Sequence, residues 1–279
     1  MFVFIVMLPL FSAAWSCGPP TKSGDTCCFE AIAVDEGHGG WAGSGISCGI
    51  DEHRTLHCWG GYDEEQVRAW SSETIRAVAF TLVTISDDMC VLTSAGKIDC
   101  RRGGWSQFEG RAIELAGDCA LDPEGEVICN DTIGIDHDAL PEGEMIALDN
   151  LCAIDVDGQL QCWGGHENVP DGQFEYLSTR RSRGCAIDVG GELQCWGGVS
   201  TPAGIYDDVS VAFGYTCAVE RTSGSLECWG DRELAFGQDQ PPDGSFQQVS
   251  AGRNHACAID REGYVHCWGK NAAGEVQPP

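Results

Sequence analysis

The chain has 279 residues, and 43 Asp plus Glu against 16 Lys plus Arg give a formal net charge of −27. An acidic excess of this size repels phosphate backbones and anionic membrane surfaces, which argues against nucleic acid as a partner. Seventeen cysteines are present, and fourteen of them fall in one repeat.

Met1 to Ser16 is apolar apart from two serines and Pro9 and carries no ionisable side chain, so the remainder keeps the acidic excess. Phe2 to Phe11 has the length of a signal-peptide core and is too short to span a bilayer as a helix. The usual positive n-region is missing. Small residues follow at Ser12-Ala13-Ala14 and Ser16. Ala14-Trp15-Ser16-Cys17 resembles a bacterial lipoprotein signal, with Ala14 where Leu is common and Trp15 unusual. Lipidation of Cys17 would leave an even sixteen cysteines; the alternative is ordinary cleavage, with Cys17 paired to Cys27 or Cys28. The expected division is a signal peptide over 1–16, a flexible tether over 17–27 and one domain over 28–279. The chain is expected to be exported, as a cell-envelope lipoprotein or a secreted protein, touching membrane only through that anchor.

Phe29-Glu-Ala-Ile32 reads as a strand. A glycine-rich insertion, Gly37-His38-Gly-Gly-Trp41-Ala-Gly-Ser-Gly45, follows; a surface loop is its plainest reading. Seven cysteine pairs then succeed one another: Cys48 with Cys58, Cys90 with Cys100, Cys119 with Cys129, Cys152 with Cys162, Cys185 with Cys195, Cys217 with Cys228, and Cys257 with Cys267. Their first members lie 42, 29, 33, 33, 32 and 40 residues apart, a period of solenoids, propellers or tandem arrays. The fullest unit is Cys-Ala-Ile-Asp-x-x-Gly-x-Leu-x-Cys-Trp-Gly.

In Cys152 to Cys162 apolar residues alternate on both sides of a turn. Val156-Asp157-Gly158 suits a three-residue hairpin loop with Gly158 in the left-handed conformation. Folding there sets Ile154 opposite Leu160 and Cys152 opposite Cys162. Gly96, Gly125, Gly191, Gly224 and Gly263 hold the same place, whereas the first unit has Arg54 and is expected to turn differently. Opposed cysteines are close enough for disulfides, each worth roughly 3 kcal/mol on the chain-entropy model. The expectation is seven disulfides, each within one unit. No pair has the Cys-x-x-Cys spacing of a zinc knuckle, and neither a metal nor a cofactor is expected.

A second signal, Pro-x-Gly-x-aromatic-x-x-Val/Leu, precedes several units: Pro170 to Leu177, Pro202 to Val209 and Pro242 to Val249, with Pro141 to Leu148 as a variant. It marks a turn and a further strand. Each unit is then a sheet of three or four strands that must stack on neighbours. The last unit stops where the next such strand is due, and Phe29–Ile32 supplies one. The expected fold is all-β: a single seven-bladed β-propeller of short antiparallel blades, its ring closed by the N-terminal strand.

Val249-Ser-Ala-Gly-Arg-Asn-His-Ala-Cys-Ala-Ile-Asp260 and Gly263-Tyr-Val-His-Cys-Trp-Gly-Lys-Asn271 resemble the regulator of chromosome condensation repeat family. The short-repeat bacterial branch that includes β-lactamase inhibitory protein II is the nearer match. The resemblance covers roughly residues 29 to 279 and implies the propeller; propellers host unrelated activities.

Chemistry is sparse. No His-Glu-x-x-His or phosphate-cradling loop occurs, and His255 reads as structural. Asp155-Val-Asp-Gly158 faintly resembles a calcium loop, but the later carboxylates are missing. Trp59, Trp163, Trp196, Trp229 and Trp268 recur at one blade position and read as packing between blades; Arg101 and Asn130 break that pattern. The binding candidates are the basic run Arg180, Arg181 and Arg183 and the non-repeat tryptophans Trp41, Trp70 and Trp105. The function expected is non-catalytic binding of an unknown protein partner by a monomer at the bacterial cell envelope. Carbohydrate or surface-polymer binding and an enzyme with a central-channel site are the alternatives.

Overall fold

The computed structural model describes residues 28–34, 45–61, 73–81, 88–100, 110–130, 139–230 and 236–279. Among the described residues, twenty-one strands group into seven antiparallel sheets of three, each consecutive in sequence. Blade 1 is β1 (Phe29–Val34), β2 (Ile46–Asp51) and β3 (Leu56–Gly60). Blade 2 is β4 (Ile75–Thr81), β5 (Asp88–Thr93) and β6 (Ile98–Cys100). Blade 3 is β7 (Glu114–Ala116), β8 (Cys119–Leu121) and β9 (Val127–Cys129). Blade 4 is β10 (Met145–Asp149), β11 (Cys152–Asp155) and β12 (Leu160–Cys162). Blade 5 is β13 (Phe174–Arg180), β14 (Arg183–Asp188) and β15 (Leu193–Trp196). Blade 6 is β16 (Tyr206–Val211), β17 (Tyr215–Glu220) and β18 (Leu226–Gly230). Blade 7 is β19 (Phe246–Ala251), β20 (His255–Asp260) and β21 (Val265–Gly269).

The hairpin expected from the cysteine unit forms in every blade. In blade 4 the register sets Cys152 against Cys162 and Ile154 against Leu160. Trp163 donates its N–H to the Leu151 carbonyl and Asp155 to that of Gln159, so the cysteines occupy a non-hydrogen-bonded pair, where strands approach closest. The same opposition recurs in every blade, and each pair is bonded. Cys48 is joined to Cys58, Cys90 to Cys100, Cys119 to Cys129, Cys152 to Cys162, Cys185 to Cys195, Cys217 to Cys228 and Cys257 to Cys267, with Cα atoms 4.0–4.1 Å apart. The two ends of a bond are not equally covered. The first cysteine lies on the middle strand and is buried throughout, whereas the second lies on the outermost strand. Cys58 and Cys129 are buried there, but Cys100, Cys162, Cys195, Cys228 and Cys267 are only half-buried. Blade 6 has one extra residue between its cysteines, and Cys228 still meets Cys217 in register because the turn absorbs it. Cys28 is also disulfide-bonded, to a partner outside the described residues.

The turn is built by its aspartate as much as by its glycine. Asp155 Oδ1 accepts the amides of Asp157 and Gln159, while Gly158, at φ 82°, donates to the Asp155 carbonyl. Asp122, Asp188 and Asp260 repeat this grip, so the recurring acid is a turn cap. The different turn expected at Arg54 is not seen. Asp51 Oδ1 takes the amides of His53 and Thr55, Arg54 donates to the Asp51 carbonyl, and Arg54 itself adopts φ 64°. The aspartate holds the turn, and the arginine accepts the left-handed conformation.

No blade buries its faces alone. One cluster joins Ala147, Cys152 and Ile154 of blade 4 to Phe174, Leu177, Ala186 and Trp196 of blade 5. In blades 5, 6 and 7 the tryptophan ties the blade to the one before. Trp196 Nε1 donates to His166 Nδ1 at 2.9 Å, Trp229 to the Ser200 carbonyl at 2.9 Å and Trp268 to that of Gln238 at 2.8 Å. Each acceptor follows the third strand of the preceding blade.

Ring closure corrects one expectation. Phe29–Ile32 does not complete the sheet of the last blade; β1 pairs with β2 inside its own blade. Closure is by packing. Phe29, Ile32, Val34 and Trp59 of blade 1 share a buried cluster with Cys257 and Ile259 of blade 7, and the Phe29 amide donates to the Gly263 carbonyl. Trp59 Nε1 donates to the Glu275 carbonyl at 2.9 Å, repeating across the seam the bond that joins blades 5, 6 and 7 to the blades before them. The closing contacts are therefore those of any blade pair, with the C-terminal segment in the role of an inter-blade loop.

Candidate functional site

The first strands contact one another around the ring and are its innermost elements. Their inner edges carry backbone amides with no further strand to pair, and side chains of the preceding blade accept them. Ser178 Oγ accepts the Val211 amide, Ser210 that of Ala251 and Ser250 that of Val34, each at 3.0 Å. At the equivalent register position Asp149 Oδ2 accepts the Thr179 amide at 2.5 Å. One step along, Asp208 Oδ2 takes the Val249 amide at 2.7 Å and Glu114 Oε2 that of Leu148 at 3.2 Å.

These carboxylates cluster with Tyr176 near the axis. Burial pushes Asp208 up to about 7, against the hydrogen bonds from Val249, Tyr176 and Val209 that favour its charge. Burial, reinforced by the charge of Asp149, pushes Glu114 up to about 8. Burial takes Asp149 to about 6 against its bonds from Thr179 and Asn150 and the nearby Arg180. Burial and the bond to Asp208 raise the Tyr176 hydroxyl well above its usual range. The group can hold and exchange protons near neutrality, yet each carboxylate already serves an inter-blade amide. Sequence reading missed these residues because Ala, Ser, Tyr and Gln hold their places in other blades.

A second buried group resembles catalytic machinery without its access. Ser47 Oγ lies 2.8 Å from His255 Nε2 across the seam, and Glu275 Oε1 accepts the Gly45 amide nearby. Ser47, His255 and Glu275 are 0%, 1% and 0% exposed, so no substrate reaches the serine. Burial, with a smaller push from Lys270, lowers His255 to about 4, although Glu275 opposes it. The neutral imidazole acts as a clamp between blades 1 and 7, the structural role expected for it. Cys152, Cys162 and His166 place ligand atoms within 4.8 Å of one another, but both sulfurs are bonded to each other.

One face of the ring is formed by the short turns between first and second strands. They touch in succession: Asn150 Nδ2 donates to the Thr179 carbonyl at 2.9 Å, and Arg181 and Arg253 lie 5.7 and 4.9 Å from the ring centroid of Phe213. Lys270, whose amide bonds to the Asn254 carbonyl, sits 5.8 Å from the Phe236 ring. Phe236 is 46% exposed. Two cation–aromatic groups thus run across blades 5 to 7.

Of the basic run, Arg181 is exposed at a hairpin tip with φ 55°. Arg180 is buried beside Asp149 and Arg183 is half-buried. Arg180 and Arg183 face each other in register, so the two-residue turn presents only Arg181 outward. Phe213, Arg253 and Phe236 join Arg181 through the fold; Arg253 lies within the repeat signature Val249–Asp260, whereas Phe213 and Phe236 lie outside the motifs that the sequence shows. Trp41, Trp70, Trp105 and Cys17 lie outside the described residues, as do Trp15, His38 and Arg101.

Residues 246–275 match the regulator of chromosome condensation (RCC1) repeat. No curated protein sequence matches the chain. The CRINKLY WD40 ectodomain of the receptor kinase ACR4 from Arabidopsis thaliana is similar in structure, with a TM-score of 0.65, 18% identity, and 91% of this chain and 100% of that one covered. The ectodomain of the receptor kinase CR4 from Physcomitrella patens gives 0.63 at 15% identity, covering 88% and 75%. Prp20p from Saccharomyces cerevisiae gives 0.45 at 15% identity, covering 88% and 73%. At these identities the likeness is one of fold. The chain is a seven-bladed propeller whose seventh blade carries the regulator of chromosome condensation repeat.

Proposed function

We propose that this propeller is an exported, non-catalytic protein-binding module that uses the face built from the short first-to-second-strand turns. The observation that carries the reading is the arc of exposed Arg181, Arg253 and Phe236 with half-buried Phe213 and Lys270, on a ring with a disulfide in every blade. A rigid frame holds these side chains before a partner arrives, so little ordering cost falls on association. Seven hairpin disulfides suit an oxidising compartment, and Cys17 is the residue proposed to carry a lipid anchor at the cell envelope. The axis carboxylates are the feature an enzyme would need, but their bonds to backbone amides give them a structural task first.

The test is affinity capture with the oxidised protein from envelope and secreted fractions, with a reduced and unfolded sample as control. A saturable protein partner lost in the control is the expected result. Binding of glycans with no protein partner would overturn the proposal.

A further inference from the structure

The chemistry of the turn face runs against that of the whole chain. A molecule with a formal net charge of −27 carries, across the turns of blades 5 to 7, only basic, aromatic and small or polar residues: Arg181-Ser182, Ala212-Phe213-Gly214 and Gly252-Arg253-Asn254. Beside them lies Lys270. On the opposite face two of the basic side chains are neutralised nearby, Arg54 by Glu30 at 3.1 Å and Arg221 by Asp207 at 2.5 Å. Arg181 and Arg253 have no carboxylate partner among the described residues; both lean on Phe213 instead.

Three features of the arc define what it fits. The guanidinium planes are supported by an aromatic ring, which orients them and leaves their N–H groups free to take carboxylates in pairs. The cations alternate with rings, so an occupant meets charge and apolar surface in turn. And the patch is short, bounded by an acidic molecule. A long polyanion would run off the arc onto a repelling surface, whereas a short acidic stretch on an otherwise neutral or basic protein would not.

The geometry points to an acidic peptide segment with interspersed apolar residues, held by Arg181, Arg253 and Lys270 with Phe213 and Phe236 between them, as the feature of the partner that this face recognises. This inference rests on the protein-binding reading of the same face and adds the partner's chemistry.

The experiment uses fluorescence anisotropy with the oxidised full chain and a labelled twelve-residue peptide of alternating Glu and Leu. A Lys–Leu peptide and a twelve-nucleotide oligothymidylate serve as comparisons. The acidic peptide is expected to bind, with affinity falling at least tenfold between 50 and 300 mM salt. The double variant Arg181→Glu/Arg253→Glu is expected to weaken it tenfold or more, while Arg261→Glu on the opposite face leaves it unchanged. Circular dichroism and thermal unfolding check that each variant folds. No binding of the acidic peptide, equal binding of the oligonucleotide, or binding indifferent to the double reversal would each overturn the inference. A protein partner captured equally well by wild type and the double variant would retain the protein-binding reading and reject the acidic segment. No partner for either would sink both.

Discussion

Replacing Asp208 by Asn should change stability in a way that depends on pH, with the variant gaining on wild type as pH rises. Asp208 is 5% exposed and faces Tyr176, the amides of Val209 and Val249 and the charge of Asp207, with Asp149 and Glu114 beyond Tyr176. Its carboxyl is pushed from the ordinary 3.8 up to about 7. A raised folded-state value means the folded protein keeps a proton that the unfolded chain releases, so stability falls as pH climbs from about 4 to 7 and levels off above. The full shift corresponds to about 4 kcal/mol. Asparagine matches the protonated acid in charge at every pH, but its amide nitrogen accepts no bond, and both Asp208 oxygens take backbone amides, Oδ1 that of Val209 and Oδ2 that of Val249, so the variant carries a pH-independent cost of about 1–3 kcal/mol. Asp208→Asn should therefore be less stable than wild type by about that much at pH 3, and should gain on wild type by roughly 2 kcal/mol by pH 5 and by about 4 kcal/mol by pH 8.5. The assay is guanidinium unfolding of both proteins, disulfides intact, across that range. Repulsion from the remaining charge acts on both and cancels in the difference. A difference that does not change with pH, or one that moves against the variant as pH rises, would refute the reasoning.

Other expectations follow from the turns and the seam. Gly158→Ala should cost about 1 kcal/mol, because alanine resists the left-handed conformation, while Arg54→Gly should gain up to about 1 kcal/mol despite losing a half-exposed ion pair; urea unfolding of the pair checks both. Trp59→Phe removes the donor to the Glu275 carbonyl and should cost about 1 kcal/mol, with faster amide exchange over residues 29–34 and at the C-terminal segment. Removing the Cys152–Cys162 bond by double alanine substitution should cost roughly 2–3 kcal/mol and leave the other six hairpins intact by non-reducing peptide mapping.

What could be read from residues was whatever is settled locally. Cys152 to Cys162 has a period of two on either side of Asp155-Val-Asp-Gly158, so one segment decides the turn, the register and the disulfide together. How deeply each sulfur sits is not local: Cys58 is covered by Met89 and its neighbours in blade 2, while Cys195 and Cys228 occupy the same strand position and stay half-buried. The strand after Pro170 is local in the same way as the hairpin. Closure is not. Phe29-Glu-Ala-Ile32 looks like every other first strand and could add to either neighbouring sheet; the proximity of β2 and the packing of Glu275 at the seam decide it. Arg54 misled because its glycine equivalents hide how much of the turn Asp51 holds. Asp149, Asp208 and Glu114 each look like drift within one repeat, and only the ring brings them around Tyr176. Arg181 was legible as part of a basic run, but the turn that buries Arg180 and the contact with Phe213 depend on blades 5 and 6 being neighbours.

The measurement that bears most directly on the account is a hydrogen-exchange footprint of the protein with and without its captured partner. Protection confined to residues 181–182, 212–214 and 252–254, with the opposite turns at 156–159, 189–192 and 261–264 unchanged, is the predicted result. Protection of those opposite turns alone would contradict it.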